Sequence, residues 1–235
     1  MLFQISCVCL GQSSVTYYDN IVGSNSVIRE YSDNHSIIYI HRSGDWGYFI
    51  YDSYGTGNNV SNAIKVDSLC RVYDFRIMDD TVYFCGKKGG YLMFGCFGVS
   101  EFNNSTALLK TWFFDGTGMD SLMACKMDVY RETGLAHIAA VGQYKDLATS
   151  MNYSAIYEFI EVGPINSVCS IYLTDNKKIQ FTDVTLTDNY VVAVSNDNGS
   201  SCLLHPFDIT INFLFHIIYN ASVISLNINE ECFVQ

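Results

Sequence analysis

A chain of 235 residues, 49% hydrophobic and only 16% charged, carries enough apolar material for one sizeable core or a stack of smaller ones. Its 24 acidic against 13 basic side chains leave a net charge of −11, which repels a phosphate backbone and argues against nucleic acid as a partner. No apolar run reaches the roughly 18 residues that a membrane-spanning helix needs.

Residues 1–11, "MLFQISCVCLG", are apolar and give way abruptly to polar residues. They read as a signal-peptide remnant, with the small residues Cys9 and Gly11 placed before Gln12, although a basic leader is missing. An ordinary N-terminal strand is the other reading, and a lipoprotein cysteine at Cys7 is poorly flanked by Gln4. Residues 12–235 read as one domain in which a four-strand phrase returns.

The first unit, about 24–67, holds the hairpin "REYSDNHSIIYIHRSG", then "YFIYDSY" from Tyr48 and "NAIKVDS" from Asn62. The second, 68–118, holds "RVYDFRIMDDTVYFCG" from Arg71, then "YLMFGCFGV" from Tyr91 and "LLKTWFF" from Leu108. The third, 119–175, holds "DVYRETGLAHIAAVG" from Asp128, "SAIYEFIEV" from Ser154 and "VCSIYL" from Val168. The fourth, 176–220, holds "FTDVTLTDNYVVAVS" from Phe181, "SCLLHPFDI" from Ser201 and "FLFHIIY" from Phe213. A partial fifth unit, 221–235, opens in the same way: Ile228 aligns with Ile77, Glu230 and Glu231 with Asp79 and Asp80, and Phe233 with Val82. Alternating apolar residues, abundant Tyr, Phe, Val and Ile, and turns such as "MDDT", "KKGG" and "SNDNGS" predict strands joined by tight turns, with no helical period.

Aligned on their first hairpins, the units place Asp74, Asp128 and Asp183 at one repeat position, 54 and 55 residues apart, with Arg29 there in the first unit. The hairpin of the third unit is two residues longer, an excess assigned to the turn "RETG". Four antiparallel strands repeated head to tail predict an all-β fold, a β-propeller of four-stranded blades. About four blades and part of a fifth are expected, so the propeller reads as incomplete, with an open blade edge that invites self-association. "SVTYYDNIVG", ahead of the first unit, is the in-chain strand for that edge, and a β-sandwich is the runner-up fold.

The run Cys70 to Val99, "CRVYDFRIMDDTVYFCG" followed by glycines and "GCFGV", resembles uncharacterised secreted propeller-like proteins of gut Bacteroidota, with weaker echoes along residues 24–235. The resemblance implies a propeller working outside the cytoplasm, periplasmic, at the cell surface or secreted, and implies no activity.

The nine cysteines are scattered, without a CxxC pair, and read mainly as small buried hydrophobes. A carboxylate ring of Asp74, Asp128 and Asp183 could contact a ligand or a cation, but recurrence in a repeat favours a structural role, with bonds mainly within or between blades. "SGDWG" at Ser43–Gly47 and "SNDNG" at Ser195–Gly199 resemble the Asp-box turn of sialidase-like propellers, which is structural even there. The five arginines, Arg29, Arg42, Arg71, Arg76 and Arg131, offer no local context that selects a carboxylate-binding trio. The five histidines stand singly, no GxSxG occurs, and no metal site or cofactor motif is recognised. Trp46, with Trp112, Tyr48, Tyr51 and Tyr54, is the candidate carbohydrate-stacking platform. The function expected is a noncatalytic extracytoplasmic recognition or scaffold module for a protein, peptide or glycan. The alternative is a glycan-active hydrolase with axial carboxylates.

Overall fold

The computed structural model describes residues 23–208, apart from 33–34, 43–45, 54–62, 105–106, 117, 133–134, 163–165, 174–178, 187–189 and 198–201. The leader at 1–11, "SVTYYDNIVG" up to Val22, Tyr54, the first three residues of "SGDWG", the last two of "SNDNG", the strand from Phe213 and the partial fifth unit lie outside the described residues.

The described chain is all β, with one short 3-10 helix at Val99–Asn103 and no α-helix among the described residues. It forms successive antiparallel sheets. The first contains β1 (Gly23–Ser32), β2 (His35–Arg42), β3 (Gly47–Ser53) and β4 (Ile64–Val66); the second β5 (Cys70–Met78), β6 (Thr81–Lys88), β7 (Tyr91–Gly98) and β8 (Lys110–Phe114). The third contains β9 (Met119–Glu132), β10 (Leu135–Asp146), β11 (Asn152–Val162) and β12 (Asn166–Leu173). The fourth contributes β13 (Ile179–Leu186), β14 (Tyr190–Asp197) and β15 (Cys202–Asp208) among the described residues. Each sheet follows chain order from its first strand outward, and the first strands β1, β5, β9 and β13 adjoin one another in succession.

The cores lie between consecutive sheets. Tyr39 and Phe49 of the first sheet pack with Phe75, Phe84 and Phe97 of the second. From the second sheet's other face, Tyr83, Cys85 and Phe94 pack with Met127, Ile138 and Phe159 of the third. Ala139, Val141 and Ile156 of the third then meet Val184, Val191 and Ala193 of the fourth. This is why β6 shows an unbroken buried run from Val82 to Gly86: alternate side chains serve different cores. Cys70, Cys85 and Cys96 are buried in these layers; Cys85 Sγ donates to the Ala124 carbonyl at 3.6 Å, and burial pushes its thiol well above its ordinary range.

The register corrects one expectation. In β5, Val72 pairs with Gly86 and Asp74 with Cys85, so Tyr73 bulges out. In β9, Ala124 pairs with Gly142 and Lys126 with Val141, so Cys125 bulges out. Both glycines are required by the same close approach: a Cβ would sit 1.9 Å from the Arg71 carbonyl oxygen at Gly86 and 1.9 Å from that of Met123 at Gly142. Counted from this landmark, Asp74 lies two residues past the glycine's partner and Asp128 four, so Asp128 stands level with Arg76 rather than with Asp74. The excess residues of the third hairpin are in its strands, because Glu132 pairs directly with Leu135 and only two residues separate them in sequence. In β13 the bulge lies between Phe181 and Asp183, and Phe181 pairs with Ser195, which returns Asp183 to the Asp74 register.

Candidate functional site

The sequence pointed first to the inner carboxylates. Asp74 is fully buried, and it holds three partners: Arg29 Nη2 donates to Oδ1, Arg76 Nη1 reaches both oxygens at 3.2 Å, and the Met127 amide donates to Oδ2 at 3.1 Å. The guanidinium of Arg29 also donates through Nε to the Phe75 carbonyl at 3.1 Å. One interface further on, Asp128 Oδ2 accepts from the Leu186 amide at 2.9 Å and from Thr185 Oγ1 at 3.0 Å, while its Oδ1 lies 3.8 Å from Arg76 Nε. Arg131 and Asp79 extend the series at 3.8 Å. Acids and bases thus alternate across adjoining first strands, each satisfying the next. Apart from the Arg76–Asp74 pair, which lies within β5, these bonds run between sheets. Asp183 stands apart from the series: it is exposed, and its Oδ1 accepts from the adjacent Val184 amide at 3.0 Å.

Arg29, Arg76 and Arg131, one on each of three first strands, form a trio the sequence could not select. All three are engaged by carboxylates of the same ladder. They therefore neutralise protein charge instead of presenting free guanidinium forks to a ligand acid.

The proposed aromatic platform separates into parts. Trp46 is 38% exposed, and the Lys65 ammonium sits over its ring, 3.6 Å from the centroid. Trp112 packs against Phe159, 4.9 Å between centroids, beside the core of the second and third sheets. Tyr48 packs on the Ile38, Ile40 and Ile50 cluster of the first sheet. Tyr51 lines a cavity.

That cavity is a cleft of about 450 Å³ lined by Tyr31 and Tyr51 of the first sheet, Asp80 of the β5–β6 turn, and Val99, Ser100, Phe102 and Asn103 of the 3-10 helix. Its rings are inclined to one another: Tyr31 and Tyr51 at 64° with centroids 6.0 Å apart, and Tyr51 and Phe102 at 42° and 5.5 Å. His35 stacks behind Tyr51 at 5.2 Å. The turn that carries Asp80 is left-handed at both central residues, with φ 47° at Asp79 and 56° at Asp80, the twist that a two-residue hairpin favours. Its position is fixed from both sides: the Val99 amide donates to the Asp80 carbonyl at 2.8 Å, and Tyr31 Oη donates to Asp80 Oδ1 at 2.5 Å. That hydrogen bond is the main reason the Tyr31 phenol is pushed up to about 12, since losing its proton would forfeit the bond and set two negative charges together.

Sequence reasoning singled out Tyr51 but missed Tyr31, Phe102, Ser100 and Asn103, and it read Asp80 only as a turn residue. The signal available was weak. An Asp-Asp pair sits where hairpins prefer Asn-Gly, and the partners lie 49 and 29 residues away in the adjoining sheet. No protein-family model matches the chain, and no curated protein matches it.

Proposed function

We propose that the protein is a noncatalytic recognition module, its sheets the blades of a β-propeller, acting outside the cytoplasm and binding a protein, peptide or glycan partner at the cleft beside Asp80. The propeller reading is supported by the succession of first strands and by cores that fall between consecutive sheets. The extracytoplasmic placement rests on the resemblance of residues 70–99 to secreted propeller-like proteins.

The observation that carries the binding reading is the contrast between the two acidic features. The inner carboxylates Asp74 and Asp128 are bonded to arginines and to backbone amides of the following sheet, whereas Asp80 is turned toward an open, aromatic-lined cleft. A hydrolase on this scaffold would need carboxylates free to give and take protons at a substrate. A ligand-binding cleft needs a rigid apolar wall and a few fixed polar groups, which Tyr51, Phe102 and Asp80 supply.

Peptide and glycan arrays probed with the full chain and with Tyr51→Ala test the reading. The expected result is binding to one ligand class that Tyr51→Ala removes while Asp74→Asn, where it still folds, retains it. Glycan cleavage by the full chain, abolished by Asp74→Asn in folded protein, would replace the reading with the hydrolase.

A further inference from the structure

We infer that the cleft beside Asp80 is a site for an organic ammonium group, the side chain of a lysine or methylated lysine on a peptide or protein partner. The inference rests on the recognition reading and narrows it to one chemistry.

Three observations converge. First, Asp80 is an exposed carboxylate whose Oδ1 is taken by Tyr31, and among the described residues no cation pairs with it. The acid beside it in the turn differs: Asp79 has Arg131 at 3.8 Å. Second, Tyr31 is inclined to Tyr51 at 64° and Tyr51 to Phe102 at 42°, so the aromatic wall of the cleft is angled rather than one flat platform. A sugar ring stacks on a flat face. A compact cation gains from several inclined faces at once, because each ring presents the negative side of its quadrupole. Third, the carboxylate does not need to be assembled on binding. The left-handed turn, the Val99 amide and the Tyr31 hydroxyl already hold it, so little ordering cost remains. The chain's net charge of −11 adds long-range attraction for a cation and repels an acidic ligand. At about 450 Å³ the cleft accommodates a lysine side chain with its adjoining peptide unit.

The test uses the full chain and three small probes: Nα-acetyl-lysine methylamide, its Nε-trimethyl form, and its neutral Nε-acetyl form. Ring resonances of Tyr31, Tyr51 and Phe102 are followed by NMR during titration to about 10 mM, a range that captures weak single-group binding. Both cationic probes are expected to shift these rings, and the neutral form is not. Asp80→Asn preserves the turn, since asparagine also accepts left-handed backbone, and is expected to weaken the cationic probes roughly tenfold. Tyr51→Leu is expected to do the same, and added salt to weaken binding further.

Equal binding of the neutral and cationic probes, or cationic binding indifferent to Asp80→Asn, overturns the ammonium assignment. Absence of any ring shift in folded protein overturns it too. If array ligands still depend on Tyr51 in that case, the recognition reading stands and only the ligand class is wrong. If neither probes nor array ligands engage the cleft, both readings fall.

Discussion

Asp74→Asn tests the claim that the inner carboxylates join sheets. The wild-type carboxylate is fully buried and accepts from Arg29, Arg76 and the Met127 amide. Asparagine fits the same space but has one acceptor oxygen, so it can keep the Met127 amide or one arginine, and its NH2 group then faces the other guanidinium. A hydrogen bond to a charged group contributes about 1.5–3 kcal/mol, and breaking a buried ion pair costs about 3–5 kcal/mol. The arginine side chains are 32% and 28% exposed, so they regain water and the larger figure must be discounted. The expected loss is about 3 kcal/mol, a large part of the roughly 5–15 kcal/mol by which domains are stable. Urea unfolding of the full chain should register it as a midpoint lowered by about 1 M. A cycle with Arg29→Gln should show coupling above about 1 kcal/mol, because the two residues share one contact. A change below about 0.5 kcal/mol in Asp74→Asn, or no coupling to Arg29, would refute the reasoning.

Three other substitutions test the close approach at a bulge, the backbone handedness at a turn and the burial of a phenol. Gly142→Ala drives a Cβ to within 1.9 Å of the Met123 carbonyl oxygen and should cost more than about 3 kcal/mol. Gly118→Ala, at φ 75° with nothing nearby, should cost only about 1 kcal/mol; similar losses in the two unfolding curves would contradict the bulge geometry. Tyr39 is buried with its phenol pushed up to about 12, chiefly by desolvation. An unfolded tyrosine ionises near pH 10, so the unfolded chain loses that proton first, and stability present below pH 10 should decline as pH rises from about 10 toward 12. The slope is at most about 1.4 kcal/mol per pH unit for this group, and Tyr39→Phe should flatten it. An unchanged alkaline slope in Tyr39→Phe would show that another group governs that limb.

Much of the sheet structure was legible because hairpins are local. "DFRIMDDTVYF" holds both strands and their turn within a dozen residues, and β5 and β6 follow it closely. The third strand of each unit and the fourth strands of the first three units were found for the same reason, by alternation and turn residues. Register was harder. A bulge moves by two positions between β5 and β9, from Tyr73 to Cys125, and no residue type announces it; only the glycine opposite, Gly86 or Gly142, marks the spot. Alignment on aspartates therefore put Asp128 at the wrong level. Pairings between sheets were beyond reach. Arg29 was placed only at the repeat position of the aspartates, but it is the partner of Asp74, a contact that joins adjoining strands across 45 residues of sequence. The cleft was invisible for the same reason, since Tyr31, Asp80 and Phe102 belong to three different local elements.

The contacts between first strands also distinguish what is generic at each seam from what is private. The Met127 and Leu186 amides that meet Asp74 and Asp128 are main-chain groups, which any neighbouring strand would offer at that height. The guanidinium groups are different: Arg29 at the first seam and Arg76 at the second are side chains found at one place each. A chimera with its units shuffled would keep the amide contacts and misplace the arginines, leaving some acids facing acids. The order in which neighbours recognise each other is therefore written in two arginines, on a backbone that would accept either arrangement.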